Sequence, residues 1–305
     1  MAGNDSHSTS FQKASNNIYP DLTRDKEGQW KGPFCFIQAA DTQLGLIDSW
    51  NNVREDMQGW GKEIELSKKA IAAANRMSPK PRFFVVCGDM VNAFPWEKYN
   101  DPQVKDFKDV FKELDPTIPL VCVCGNHDIG DKPTEDSIKK YRNNFGDDFF
   151  TFWVGGVFFI VLNSQYFKDA TQVAEHKQDQ DKWLEQQLQF AKISNPQHVV
   201  VFQHIPWFFG SADEEDDYFN ITMNTRKEML EKLKAAGIKY VFAGHYHRNA
   251  GGFDGDLEVV VTSAIGLQIK NDKDSGMRIV TVQKNKISHE YYELDHVPTN
   301  MKFRL

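Results

Sequence analysis

The sequence predicts an α/β (mixed α+β) fold of two stacked, mixed β-sheets with helices outside, and three observations lead there. Apolar runs of strand length alternate with segments of helical period through most of the 305 residues. Beyond about residue 250 closely spaced β segments follow, which adds antiparallel strands to an otherwise parallel plan. Five of the apolar runs end on side chains able to hold a metal ion: FCFIQAAD on Asp41, FFVVCGD on Asp89, LVCVCGN on Asn126, HVVVFQH on His204, and YVFAGHYH on His245 and His247. Open sheets place their ligands at strand ends, so these residues are expected to form one cluster at one sheet edge.

The elements follow in order. Residues 1–30 are rich in Ser, Asn and charge without periodicity, and a flexible N-terminal segment is expected. The first strand is Phe34–Ala39. A helix over Gly61–Arg76 takes its apolar contacts from Ile64, Leu66, Ala70, Ile71 and Ala74, and Ser78-Pro79-Lys80-Pro81 stops it. A second strand begins at Phe83. Val104, Phe107, Val110, Phe111 and Leu114 form a stripe that predicts a helix over 103–114, and the strand before Asn126 follows Pro119. Residues 151–163 read as a hairpin turning at Gly155-Gly156. Trp183, Leu184, Leu188 and Ala191 predict a helix over about 178–193. Thr225 is placed to N-cap a further helix carrying Met229, Leu230 and Leu233, which ends at Gly237. Strands at 257–262, 277–283 and 286–292 complete the chain, the last two as a hairpin about Lys284-Asn285. Because the metal-suited residues run from 41 to 247, one domain over 31–295 is expected, with a tail at 296–305.

Composition narrows the function. An apolar content of 40% suffices for a full core, and a net charge of -7 with scattered Lys and Arg argues against a nucleic-acid partner. The N-terminus lacks the apolar core of a secretion signal, and the longest apolar run, 149–162, contains Gly-Gly and is too short to cross a bilayer. No membrane partner is expected. Cys35, Cys87, Cys122 and Cys124 all fall in predicted strands, which suits buried thiols in a reducing compartment and points to the cytoplasm. Nothing in the sequence sets an oligomeric state.

Singly, the site signals are weak: Gly88-Asp89 suits many turns, and Gly125-Asn126-His127-Asp128 suits a tight one. Their order is specific: Asp41, then Gly-Asp, then Gly-Asn-His-Asp, then a lone His204, then Gly-His-Tyr-His. This order resembles the calcineurin-like metallophosphoesterase superfamily over about residues 34–250. Trp-Lys-Gly-Pro-Phe at 30–34, Gly-Asn-His-Asp-Ile-Gly at 125–130 and Gly-His-Tyr-His-Arg-Asn-Ala-Gly-Gly at 244–252 point within it to a cytosolic family acting on phosphoserine and phosphothreonine proteins.

The resemblance implies an αββα sandwich and two divalent cations, with Mn²⁺ favoured and Mg²⁺, Fe or Zn²⁺ as alternatives. It implies that Asp89 bridges them, that Asp41 and His247 serve the first ion, and that Asn126, His204 and His245 serve the second. A water between the ions would lose a proton and attack phosphorus in line, with His127 protonating the leaving group or stabilising phosphoryl charge. Asp128 belongs to the same catalytic motif, and Asn126 and Arg248 are candidates to hold phosphate.

Two positions depart from the family pattern. Gln43 stands where the family usually places a His ligand, which leaves an oxygen-rich first site; Glu55 or Asp56 could substitute a carboxylate. Asn92 stands where protein phosphatases of the superfamily carry the Asp that orients the catalytic His. Trp207, Phe208 and Phe209 are candidates to wall the leaving-group side, and the acidic run 213–217 to favour basic peptide flanks. The expected activity is metal-dependent hydrolysis of phosphoric monoesters, as a serine/threonine protein phosphatase. The alternatives are a phosphodiesterase on nucleotide-type substrates and a non-catalytic, metal-poor binding scaffold.

Overall fold

The computed structural model describes residues 12–269 and 274–303, and among these eleven strands form two mixed sheets. They are β1 (Phe34–Ala39), β2 (Phe84–Cys87), β3 (Leu120–Val123), β4 (Phe150–Val154), β5 (Val157–Val161), β6 (His198–Phe202), β7 (Tyr240–Ala243), β8 (Ala250–Asp254), β9 (Leu257–Val261), β10 (Gly276–Val282) and β11 (Ile287–Glu293). One sheet has the order β11-β10-β1-β2-β3 and the other β4-β5-β6-β7-β9-β8. Strands β1, β2 and β3 are parallel, as are β5, β6, β7 and β9. Antiparallel pairings add β10 and β11 to the first block on the β1 side, and antiparallel β4 and β8 close the two sides of the second.

The near-continuous apolar runs arise because these strands are covered on both faces. Between the sheets, Phe36, Phe83, Val123, Phe159, Phe202 and Phe242 interlock. Behind the first sheet lie the helices Gly61–Arg76 and Asn100–Phe111, and behind the second lie Ala174–Ser194 and Met223–Ala235. The αββα expectation therefore holds. The hairpin turn also lies where expected: Val154 pairs with Val157, and Gly155 and Gly156 both take positive φ.

Several elements differ from expectation. Residues 12–30 are not loose: Tyr19 and Leu22 are buried, Ile18 bridges to Thr151, and Arg24–Glu27 forms a helical turn. Isolated apolar residues there find a preformed face to join, which local periodicity cannot reveal; residues 1–11 lie outside the described residues. At the other end, Ser78 exchanges backbone bonds with Thr299 and Met301, and Met301 and Phe303 pack against the first sheet's helical core. The helix expected from 103 begins at Asn100, since Pro102 is harmless in a first turn where no N–H is needed. Thr225 is not an N-cap; the helix starts at Met223, whose N–H donates to Asp216 Oδ1 from outside the helix. The helix Glu135–Phe145, closed by a Thr134–Ser137 capping box, and strand β8 went unread in the sequence.

Candidate metal centre

Parallel strands of both sheets end on the same side, and the sequence bends sharply there. Asp41, Gln43, Asp89, His245 and His247 all have positive φ, between 37° and 70°. Left-handed backbone is costly outside Gly, and its concentration on these five residues marks a constrained site. Two glycines let the turns close. A Cβ on Gly88 would lie 2.2 Å from His204 Nδ1, and one on Gly125 would lie 2.2 Å from Asp89 Oδ1.

The result is a buried cluster. Asp41, Gln43, Asp89, Asn126, His204, His245 and His247 are each almost wholly inaccessible to solvent. His204 Nε2 lies 3.3 Å from Asp89 Oδ2 and 3.0 Å from Asn126 Oδ1. His247 Nε2 lies 3.5 Å from Asp41 Oδ1, and the His245 N–H donates to Asp41 Oδ2 at 3.0 Å. Asp89, His204 and His245 bring donor atoms within 4.8 Å of one another.

The ring nitrogens turned away from the cluster are tied to carbonyls. His204 Nδ1 bonds to the Cys87 carbonyl at 2.7 Å, and His247 Nδ1 to that of Leu267 at 2.7 Å. Each bond fixes the tautomer that leaves Nε2 free to ligate. Burial holds the His245 pKa well below its ordinary value and that of His247 at about 4, which favours the neutral rings that ligands need. Burial alone would also lower His204, but the adjoining Asp89 carboxylate carries it up to about 9. Burial raises Asp41, despite the opposing His204 charge.

The donor set fits divalent cations. Asp41 Oδ1 and Gln43 Oε1 are buried without any hydrogen-bond partner. Such orphaned acceptors are costly unless something positive meets them. Gln43 Nε2 donates toward Asn92 Oδ1 at 3.5 Å, which turns the orphaned oxygen the other way.

The remaining sequence candidates take different places. His127 is half-buried beside Asp89, its N–H donating to Asp89 Oδ1 at 2.9 Å. The main-chain carbonyl of Asn92, 2.5 Å from His127 Nδ1, orients that ring; the Asn92 side chain serves Gln43 instead. Asp128 does not face the cluster's open side. Its carboxylate accepts the N–H groups of Asp89, Met90 and Gly125 at 2.8–3.1 Å, which clamps two strand-end turns together. Arg248 donates to the Ile269 carbonyl and the Tyr246 hydroxyl and stacks on the Tyr246 ring. Glu55 and Asp56 are exposed, Asp56 paired with Arg54.

Trp207 and Phe208 are wholly buried behind the second sheet and wall nothing, and Phe209 stacks on Tyr246. The walls come from residues no motif announced. Phe94 stacks on His127 at 4.7 Å, and Trp96, 63% exposed, stacks on Phe94. On the other side Tyr218 and Phe219 lie against His245 at 5.1 and 5.3 Å. The acidic run is an organised loop: Glu214 accepts the N–H groups of Phe209, Gly210 and Ser211, and Asp213 pairs with Lys227.

Comparison with known proteins agrees with this geometry. The family model described as calcineurin-like phosphoesterase matches residues 36–249. The chain is 49% identical over 289 residues to serine/threonine-protein phosphatase CPPED1 of Mus musculus, covering 94% of this chain and 92% of that protein. It is 47% identical over 290 residues to the Homo sapiens protein of the same name, covering 94% and 92%. Among solved structures, a dimetal phosphatase from Danio rerio superposes with a TM-score of 0.58 at 15% identity, covering 84% of this chain and 98% of that one. Purple acid phosphatase PPD1 from yellow lupin (Lupinus luteus) seeds gives 0.62 at 11% identity, covering 90% and 53%; likenesses this remote show the fold alone. The matched stretch contains every strand-end donor described above, and the chain belongs to the calcineurin-like phosphoesterase family.

Proposed function

We propose that this chain is a metal-dependent phosphomonoesterase acting on phosphoserine and phosphothreonine in proteins. The observation that carries the reading is the buried convergence of Asp41, Gln43, Asp89, Asn126, His204, His245 and His247 from two sheets, with His127 at its side. The substrate class rests on relatives named serine/threonine-protein phosphatase.

Asp41, Gln43 and His247 would hold one ion, Asn126, His204 and His245 the other, and Asp89 both. Bound there, two divalent cations supply a nucleophile from water at neutral pH and offset charge on the phosphoryl oxygens. Three of the side-chain donors on the Asp41 side would be oxygens, which favours Mn²⁺ or Mg²⁺ over Zn²⁺. With Nδ1 held by the Asn92 carbonyl, His127 presents Nε2, the atom that would serve the leaving alkoxide or the phosphoryl oxygens. Phe94 fixes the plane of that ring. A cytoplasmic location belongs to the same proposal, supported by four buried free thiols.

The test is turnover of a phosphoserine peptide, p-nitrophenyl phosphate and bis(p-nitrophenyl) phosphate, after chelation and after Mn²⁺ is restored. Monoester hydrolysis that vanishes and returns with Mn²⁺ is expected. Faster hydrolysis of the diester would sink the monoesterase reading. Fewer than two ions per chain with no turnover would leave a binding scaffold.

A further inference from the structure

An Asn side chain can ligate a cation only through its oxygen, yet its two ends are nearly the same shape. Something must decide which end faces the metal. At Asn126 the decision is visible. Its Nδ2 donates outward to Asp131 Oδ1 at 2.9 Å and to the Tyr218 hydroxyl at 3.1 Å. Tyr218 itself donates to Asp131 Oδ1 at 3.4 Å, which closes a triangle. With both amide protons spent there, Oδ1 turns inward, 3.0 Å from His204 Nε2.

Tyr218 acts on a second donor as well. Its main-chain carbonyl lies 3.3 Å from His245 Nε2, which leaves Nδ1 as the ligating nitrogen of that ring. The segment carrying Tyr218 is itself anchored. Lys168 Nζ donates to the carbonyls of Asp217 and Asn220 at 2.6 and 2.7 Å, and buried Arg226 donates to those of Ala212 and Glu214 at 3.0 and 2.8 Å.

We infer that Asp131 and Tyr218 are positioning residues for one of the two cation sites: they select the amide orientation of Asn126, and Tyr218 also selects the ligating nitrogen of His245. The inference rests on the metal reading above and concerns residues outside its ligand set. Neither residue touches the reacting phosphate in this role. Without them the Asn126 amide is free to present its N–H groups to a cation, which repel it. Loss of an outer hydrogen-bond partner of a metal ligand typically weakens metal affinity ~10–100-fold.

Calorimetric titration with Mn²⁺, together with metal content after mild dialysis, tests this on the full chain. The variants are Tyr218→Phe, Asp131→Leu, Asp131→Asn and the double variant Asp131→Leu/Tyr218→Phe. Asp131→Leu is expected to weaken one of two binding events by about 10–100-fold and leave the other unchanged. Tyr218→Phe, which keeps the ring and the carbonyl, is expected to cost less, and the double variant to retain one ion through dialysis. Asp131→Asn keeps an acceptor oxygen and is expected to stay near wild type. Asp131 is exposed and Tyr218 is 51% exposed, so the metal-free variants are expected to melt with the wild type. Two ions bound at wild-type affinity by the double variant would overturn the inference, as would equal losses in Asp131→Asn and Asp131→Leu. A wild-type chain that binds two ions yet hydrolyses no phosphoester would sink the proposed reaction and leave this inference standing. A wild-type chain without two Mn²⁺ sites would sink both.

Discussion

Both oxygens of Asp89 face the site, Oδ1 accepting the His127 backbone N–H and Oδ2 lying 3.3 Å from His204, and in the proposed centre this carboxylate would serve both ions. Gln43 contributes one orphaned oxygen on one side. Asp89→Asn is therefore expected to lower kcat/KM by roughly 10²–10³-fold, and Gln43→Ala by about tenfold. Equal losses in steady-state assays would show the bridge to be misassigned. His204 makes a different expectation. Its pKa in the metal-free chain is carried up to about 9, so the ring is protonated at neutral pH, whereas a ligating ring must be neutral. Metal loading at pH 7 is thus expected to release about one proton from this ring, with affinity rising as pH approaches 9 and levelling above it. Calorimetry in two buffers of different ionisation enthalpy measures that release; its absence would contradict the His204 assignment.

Strands and turns carry the precision that single residues cannot. Gly125 has negative φ, so its own backbone conformation suits Ala, but the new Cβ would lie 2.2 Å from Asp89 Oδ1 and 2.4 Å from the Asp89 backbone nitrogen, which displaces the Asp89 turn. Gly125→Ala is expected to reduce bound metal while circular dichroism stays native, a loss seen by metal analysis of the folded protein. The strands and the polar turns that end them were legible in sequence because apolar runs buried on both faces stand out, and because Gly, Asn, Asp and His tolerate left-handed turns. Strand β8 was not legible: its residues, AGGFD, are half-exposed at a sheet edge and show no apolar run. The helix Glu135–Phe145 carries Ile138, Tyr141 and Phe145 at helical spacing, but its polar majority leaves only that narrow apolar stripe as a sequence signal.

Across the whole molecule, the cluster exists only because two sheets are held in register. Phe36 of β1 stacks on Phe83 at 4.5 Å and meets Phe159, Phe202 and Phe242 of the facing sheet edge-on at 5.7–5.9 Å. Phe36→Ala is expected to cost about 3–5 kcal/mol in denaturant unfolding of the metal-free protein. It should also weaken metal binding, since Asp41 and Asp89 reach the site from one sheet and His204 and His245 from the other. Because the site exists only in the folded chain, metal loading is expected to raise the Tm, with stability up by about 2.7 kcal/mol per site at a hundredfold excess over Kd. Thermal melts with and without chelator check this; an unchanged Tm would mean the ions do not bind the native state.

What the sequence determined by itself was local and ordered: which runs are strands, which polar residue ends each, and in what succession. Backbone periodicity and turn chemistry act over a few residues, so they can be read from a few residues. Tertiary structure decided the rest. It gave Asp128 three backbone donors to clamp, moved Trp207 and Phe208 into the core, let a main-chain carbonyl rather than the Asn92 side chain orient His127, and set Tyr218 against Asn126, 92 positions away. Such partnerships depend on where the sheets bring distant turns to rest, and no spacing along the chain encodes that distance.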